Sequence, residues 1–170
     1  MSGQIESTEV APFTDVPIYH ETSGLWLYGN LRLLRSNLAY LPSAIGFGNW
    51  TSDQLQAIER ETELLVLDSK TLVCGVHGAA HQRSAVVPLR WGAPRIVVLS
   101  GGFHYHLGPK LDHEPFRAAR LWRYRWDALV DLAVSRRAPD KLPTFASYNP
   151  TVDRLIVKLA SGELSPKDYR

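Results

Sequence analysis

Three short apolar runs in this chain end at glycine, and helical patterns lie between them. LWLYG ends at Gly29, TLVCG ends at Gly75, and RIVVLSGG ends at the pair Gly101 and Gly102. Short apolar runs closed by turn residues are typical of strands covered on both faces. Because parallel strands need crossover connections, usually helices, the pattern predicts an α/β fold with a Rossmann-like, mostly parallel sheet flanked by helices.

The segments between and after these runs carry helical spacing. Thr51 can cap a helix whose apolar positions 55, 58 and 65 share one face, which predicts a helix near 52–68. Further helices are expected over 79–87, over 114–126 and over 152–161. Two segments stay open, because 31–49 mixes helical leucine spacing with loop residues and 128–134 also fits a strand of the same sheet.

Length and composition indicate one domain. A chain of 170 residues with 45% hydrophobic composition can bury a core of its own. Both ends lack periodic apolar residues, and such segments tend to stay mobile. We therefore expect a flexible N-terminal arm over 1–20, a single Rossmann-like domain over 21–162 and a mobile tail over 163–170.

Several classes of protein are excluded by the cysteine content and by the length of the apolar runs, whereas the net charge leaves nucleic-acid binding open. Cys74 is the single cysteine, which excludes an internal disulfide framework and fits a reducing compartment such as the cytoplasm. No uninterrupted apolar run approaches the roughly 20 residues of a membrane-spanning helix, so no membrane partner is expected. The formal net charge of +2 does not by itself indicate nucleic-acid binding, so the placement of basic residues must decide.

The segment CGVHGAAH joins a predicted strand to a predicted helix. Gly75 and Gly78 permit a tight turn with exposed backbone N–H groups, and the amino end of the following helix favours an anion. The carboxyl ends of parallel strands lie at one edge of a sheet, where ligands bind. The glycines that end the three runs are therefore expected along one edge, around a phosphate. Alternatively, they permit only a tight strand-to-helix connection.

Four segments occur in the order and spacing of a known family: LYGNLR, CGVHGAAHQRSA, IVVLSGGFHYHLGP and DRLIVKLAS. They resemble the central Rossmann-like domain of the DNA-processing protein A family, within the superfamily that also contains Lonely-guy-type proteins. The family's motifs there are V-G-S-R, S-G-x-x-x-G-I-D-x-x-A-H, V-L-G-x-G and R-N-R-I-I-A-G-L-S. The resemblance covers about residues 24–161, with Phe145 as the aromatic residue before the last motif.

The resemblance implies a domain that binds single-stranded DNA or a nucleotide-like phosphate ligand in DNA processing, without a cofactor, a metal or catalytic residues. The chain departs from the family by a shorter second loop that lacks the family's arginine and aspartate. The implied phosphate-binding or nucleic-acid-binding residues are Gly29, Asn30, Arg32, Gly75, His77, Gly78, His81, Gly101, Gly102, His104 and Arg154.

Two residue groups have alternative interpretations. Cys74, His77 and His81 resemble a metal-ligand set, but no further ligand pair accompanies them, which favours a packed His81 bonded to a loop carbonyl. The segment FRAARLWRYRW interleaves arginines with tryptophans, the combination used by single-strand binders. On a helix the same residues form a solvated basic face over an aromatic core stripe.

Two other functions compete with nucleic-acid binding. Lonely-guy-type enzymes carry P-G-G-x-G-T-x-x-E, whose glutamate acts in hydrolysis, whereas this chain keeps the two glycines without the Gly-Thr or the glutamate. Without a positioned carboxylate, acid–base catalysis has no obvious agent, so the sequence favours binding over catalysis. The third alternative is an interaction protein with a vestigial site, in which the tryptophan-rich segment forms a homo-oligomer surface.

Overall fold

The computed structural model describes residues 13–46, 48–143 and 148–164. Its sheet contains β1 (Ile18–His20), β2 (Leu25–Gly29), β3 (Leu38–Ala39), β4 (Thr71–Gly75), β5 (Arg95–Val98) and β6 (Leu132–Ser135). The α-helices of these ranges are α1 (Ser52–Leu67), α2 (Gly78–Ala85), α3 (Val87–Arg90), α4 (Phe103–Leu107), α5 (Arg117–Leu121) and α6 (Pro150–Ser161). Short 3-10 helices occupy Leu31–Arg35 and Pro42–Ala44.

The six strands lie in the order β1-β2-β6-β5-β4-β3. Strands β3, β4, β5 and β6 run parallel to one another, whereas β2 runs antiparallel to β6 and β1 antiparallel to β2. Every residue of β4, β5 and β6 is buried, as expected for parallel strands covered on both faces. The predicted fold class is confirmed: a Rossmann-like, mostly parallel sheet flanked by helices.

The side chains of each strand alternate between two cores. Cys74 and Val97 point into a core that includes Ile58 of α1 and Phe103 of α4. Their neighbours in the strands point to the other face, where they pack against the buried stripe of α6. The helices α1 and α6 therefore cover opposite faces of the sheet. Across the described ranges, no helix is both long and apolar enough to cross a bilayer.

The two longest helices have the end signals that their sequences predict. Thr51 and Gln54 form a reciprocal capping box at the start of α1. The Asn149 side chain accepts the backbone N–H of Val152 at the start of α6, and Pro150 occupies its first turn. The predicted helices over 52–68 and 152–161 are both confirmed.

A buried ion network fixes the amino ends of β5 and β6. The Arg95 guanidinium, fully buried, forms an ion pair with Glu114 and another with Asp131, at 3.1 Å. Its charge also lies over the rings of Phe116 and Trp126, 5.5 and 5.8 Å from their centroids. Burial raises the pKa of Asp131 to about 6, although the neighbouring Arg95 favours the ionised form.

The expectation that Gly29 shares an edge with the other strand-end glycines is wrong. Because β2 runs antiparallel to β6, Gly29 pairs with Leu132 at the start of β6 and lies at the opposite edge from Gly75. Gly29 has a positive φ of 121°, and a Cβ there would lie 2.2 Å from the Asp131 carbonyl oxygen. This glycine allows two backbone segments to pack closely, and it lies away from the edge where the phosphate site is predicted.

Three other expectations differ from the structure. The prediction of one long helix over 114–126 is wrong. The structure has only the short helix α5, which is followed by a turn with a positive φ at Arg123. The alternative strand within 128–134 is correct and corresponds to β6. The prediction of a flexible arm does not hold for residues 18–20, because they form strand β1, which pairs with β2. Residues 1–12 of that arm, 165–170 of the tail, and Phe145 lie outside the described residues.

Candidate functional site

Asp153 of α6 joins three segments at the carboxyl edge of the sheet. Its Oδ1 accepts hydrogen bonds from His77 Nε2 at 2.8 Å and His81 Nε2 at 3.1 Å, and its Oδ2 accepts the backbone N–H of Gly46 at 2.8 Å. The three side chains are almost completely buried. The carboxylate thus holds the turn after β4 and the segment after β3 against α6.

The backbone decides which nitrogen of His81 carries the proton. The N–H of Gly75 donates to His81 Nδ1 at 3.2 Å, so Nδ1 is an acceptor and the proton lies on Nε2, which faces Asp153. A metal bound at Nε2 would require the proton to lie on Nδ1 instead. There it would face the Gly75 N–H, so that two donors would point at each other. The cluster is therefore built for hydrogen bonding, and the expected bond from His81 to a loop carbonyl is replaced by one to a carboxylate.

The titration of the cluster follows from burial and from these hydrogen bonds. Burial favours protonated Asp153, but the hydrogen bonds from His77, His81 and Gly46 outweigh burial and hold the pKa of Asp153 below its usual range. Burial also lowers the pKa of His81. Cys74 is buried in β4, where desolvation raises the pKa of its thiol to about 12.

The glycines at this edge allow close packing. A Cβ on Gly75 would lie 2.7 Å from the His77 ring, and a Cβ on Gly101 would lie 2.5 Å from the Pro143 backbone. The N–H of Gly102 donates to the Lys141 carbonyl at 2.8 Å. The loop after β6 and the histidine cluster therefore fill the space beside these glycines. The loop also accepts a glycine N–H that the sequence pattern predicts to bind a phosphate.

The open space at this edge is a groove across the amino end of α6. It consists of two depressions of about 290 and 340 Å³ that share Tyr148 and Pro150 in their walls. We call the two together the α6 groove. The first depression is lined by Ser100, Arg136, Arg137, Asn149 and Thr151, among others, and the second by Gly46, Asp153, Arg154, Lys158 and Glu163, among others.

The charge of the α6 groove is mainly positive. Arg136 and Arg137 directly follow β6, and Arg154 and Lys158 lie one turn apart on α6; all four are exposed. The amino end of this 12-residue helix adds a positive partial charge. Glu163 is the exposed acid of the lining, whereas the buried Asp153 carboxylate is already bonded to three N–H donors. Such a groove attracts phosphate groups.

The structure brings together only part of the predicted residue set. Gly75, His77, Gly78 and His81 form the turn around Asp153, Arg154 lines the α6 groove, and Gly101 and Gly102 lie behind it under the loop after β6. Asn30 instead caps the 3-10 helix after β2, and Arg32 is exposed there, at the opposite edge.

Two further histidines, His104 and His106, belong to α4. The His104 side chain is exposed on this helix. His106 Nε2 lies 3.5 Å from the Ser100 hydroxyl, and burial lowers the pKa of His106 to about 4.

Several residues of the α6 groove are missing from the sequence prediction. Tyr148 and Asn149 lie in the segment YNPT, where an N-cap asparagine before proline is a recognisable helix start. Arg136 and Arg137 directly follow the apolar run LAVS. Gly46 and Asp153 had no such signal, because their contact joins residues 107 positions apart.

Comparisons with known proteins bear on the fold. No family model matches the sequence, and no curated protein matches it. Among solved structures, DNA processing protein A from Helicobacter pylori, a single-stranded DNA-binding protein, matches with a TM-score of 0.56 and 16% sequence identity. The match covers 79% of this chain and 56% of that chain. The chain therefore has the Rossmann-like fold of DNA processing protein A, as its sequence motifs predict.

Proposed function

We propose that this chain binds single-stranded DNA in the α6 groove. The observation that carries the proposal is one exposed aromatic side chain, Tyr148, between two depressions that each contain basic residues. Proteins that bind single strands combine basic grooves along the backbone with aromatic side chains on which bases stack. The similar fold of a single-stranded DNA-binding protein supports this proposal.

Each part of the α6 groove has a role in this proposal. Arg136 and Arg137 contact phosphates in the first depression, and Arg154 and Lys158 contact them in the second. Tyr148, which is 41% exposed, stacks on an unpaired base between them. The two depressions thus accommodate successive nucleotides of one strand, so an oligonucleotide binds more tightly than a free nucleotide.

Salt dependence of binding tests the phosphate contacts. The dissociation constant of a fluorescently labelled oligothymidine would be measured by anisotropy over a range of salt concentrations. Each phosphate contact on a single strand contributes about 0.7 to the slope of log K against log salt. We expect Arg136→Gln and Arg154→Gln each to reduce this slope by about that amount, because each removes one cation from the groove.

Arg32→Gln is the matched control, because Arg32 is also an exposed arginine but lies at the opposite edge of the sheet. It should leave the slope unchanged. Tyr148→Leu should weaken binding about tenfold at every salt concentration without changing the slope, since it removes stacking and no charge. Equal loss of slope in Arg32→Gln and Arg154→Gln, or no salt-sensitive binding at tens of micromolar protein, would contradict the proposal.

A further inference from the structure

A second pocket lies on the other face of the sheet, away from the α6 groove. It has a volume of about 570 Å³ between α1, the α2–α3 junction and the segment that begins at α5. We call it the α1–α5 pocket. Its apolar lining comes from Val86, Ala118 and Ala119, with Trp122 and Tyr124 beside them. This volume and mixed lining are typical of sites for small molecules.

The turn after α5 exposes the two aromatic side chains. The N–H groups of Trp122 and Tyr124 both bond to the carbonyl oxygen of Ala119, and Arg123 between them has a positive φ of 67°. Trp122 is left 81% exposed and Tyr124 38% exposed. Leaving a tryptophan this exposed beside an apolar pocket is unfavourable in water, and a planar ring stacked on it would remove that apolar area from water.

The charged wall of the α1–α5 pocket has an excess of one positive charge. Glu59 accepts from Arg83 at 2.9 Å and from Arg90 at 3.5 Å, so two guanidinium groups share one carboxylate. The Arg90 side chain is the more exposed of the two, at 47% against 35%. Arg90 therefore has hydrogen-bond donors that Glu59 does not use, in a position to meet an anionic ligand at the pocket wall.

We propose that the α1–α5 pocket binds a small planar aromatic anion. The ring stacks on Trp122 and covers the apolar floor, while the anionic group bonds to Arg90. Charge complementarity decides between this ligand and a neutral aromatic one, because the lining contains two arginines and one glutamate. The site does not depend on the proposed DNA binding, since α1 and α6 cover opposite faces of the sheet.

A pair of fluorescent dyes with the same ring system tests this proposal. 1-Anilinonaphthalene-8-sulfonate carries an anionic group, and N-phenyl-1-naphthylamine lacks it. Titrations of the folded protein should show saturable one-to-one binding of the sulfonate dye, about fivefold tighter than binding of the neutral dye. Equal affinity for the two dyes, or no saturable binding of the sulfonate dye, would overturn the proposal.

Two variants locate the site. Arg90→Gln should remove the difference in affinity between the dyes, and Trp122→Ala should weaken both dyes by about tenfold. Both changes replace exposed side chains, so circular dichroism should show an intact fold. Arg32→Gln, at an unrelated surface, should change neither affinity. Unchanged dye binding in both Arg90→Gln and Trp122→Ala would show that the dyes bind elsewhere and would contradict the proposal.

Discussion

Asp153 shows how one carboxylate can order a whole edge of a sheet. It accepts N–H groups from His77, His81 and Gly46, and these come from segments that are distant in the sequence. The His77 and His81 donors would be buried without a partner if the carboxylate were lost, and an unsatisfied buried donor costs about 1–3 kcal/mol. Asp153 is thus a positioning residue for the α6 groove rather than a ligand-binding one.

Replacing Asp153 tests this role. Asp153→Asn turns one acceptor oxygen into an NH₂ group that faces N–H donors, so we expect the free energy of unfolding to fall by about 3 kcal/mol. Urea denaturation followed by circular dichroism would measure the loss. Arg154→Gln, the next residue on the same helix and exposed, should change stability by less than about 0.5 kcal/mol. Similar losses in the two variants would contradict the role of Asp153.

The pH dependence of this difference has a definite sign. The pKa of Asp153 is lower in the folded than in the unfolded protein, where it lies near the ordinary value of 3.8. The stabilisation by the ionised carboxylate is therefore complete above that value and is lost as the pH falls below it. The contribution of the ionised carboxylate to the gap in stability between the wild-type protein and Asp153→Asn should accordingly decrease as the pH falls below 3.8.

At the scale of elements, β5 and β6 are joined by more than their ladder of hydrogen bonds. Arg95 begins β5 and Asp131 directly precedes β6, while Glu114 comes from the segment before α5. All three side chains are buried, so Arg95 is the cation that offsets the two carboxylates in a region that excludes water. The network joins the amino ends of β5 and β6, at the edge of the sheet opposite to the α6 groove. The carboxyl edge of the sheet thus stays available for a ligand.

Breaking the network at its centre should be strongly destabilising. Arg95→Met leaves two buried carboxylates without their cation, and we expect unfolding to become easier by about 3–5 kcal/mol. Arg83→Gln removes a partly exposed ion pair with Glu59 and serves as the comparison, with a cost of at most about 1 kcal/mol. Thermal denaturation would compare them. An Arg95→Met protein as stable as Arg83→Gln would show that the buried network contributes little to folding.

At the scale of the whole molecule, sequence patterns predict the elements better than they predict strand direction. The runs ending at Gly75 and Gly101 are parallel strands as expected, because their helical crossovers are visible in the pattern. The run ending at Gly29 is similarly apolar, but it lies antiparallel to a strand more than 100 residues later. Apolar periodicity is identical for either direction, so the sequence cannot separate the two.

The candidate site could be predicted only where its signals are local. The turn with His77 and His81 and the helix with Arg154 follow from nearby glycines, caps and apolar spacing. The partner of the histidines, Asp153, could not be identified because the contact spans more than 70 residues. The glycine edge predicted around a phosphate is replaced by protein packing, and the basic α6 groove lies beside it.

Photo-crosslinking of a single strand would show directly which residue of the protein a base contacts. An oligothymidine containing 5-iodouracil would be irradiated in complex with the full chain, and the attached residue identified by mass spectrometry. Tyr148 lies between the two basic depressions, so we expect it to be the crosslinked residue and excess unlabelled strand to prevent the reaction. A crosslink confined to Trp122 on the opposite face, with Tyr148 unmodified, would contradict it.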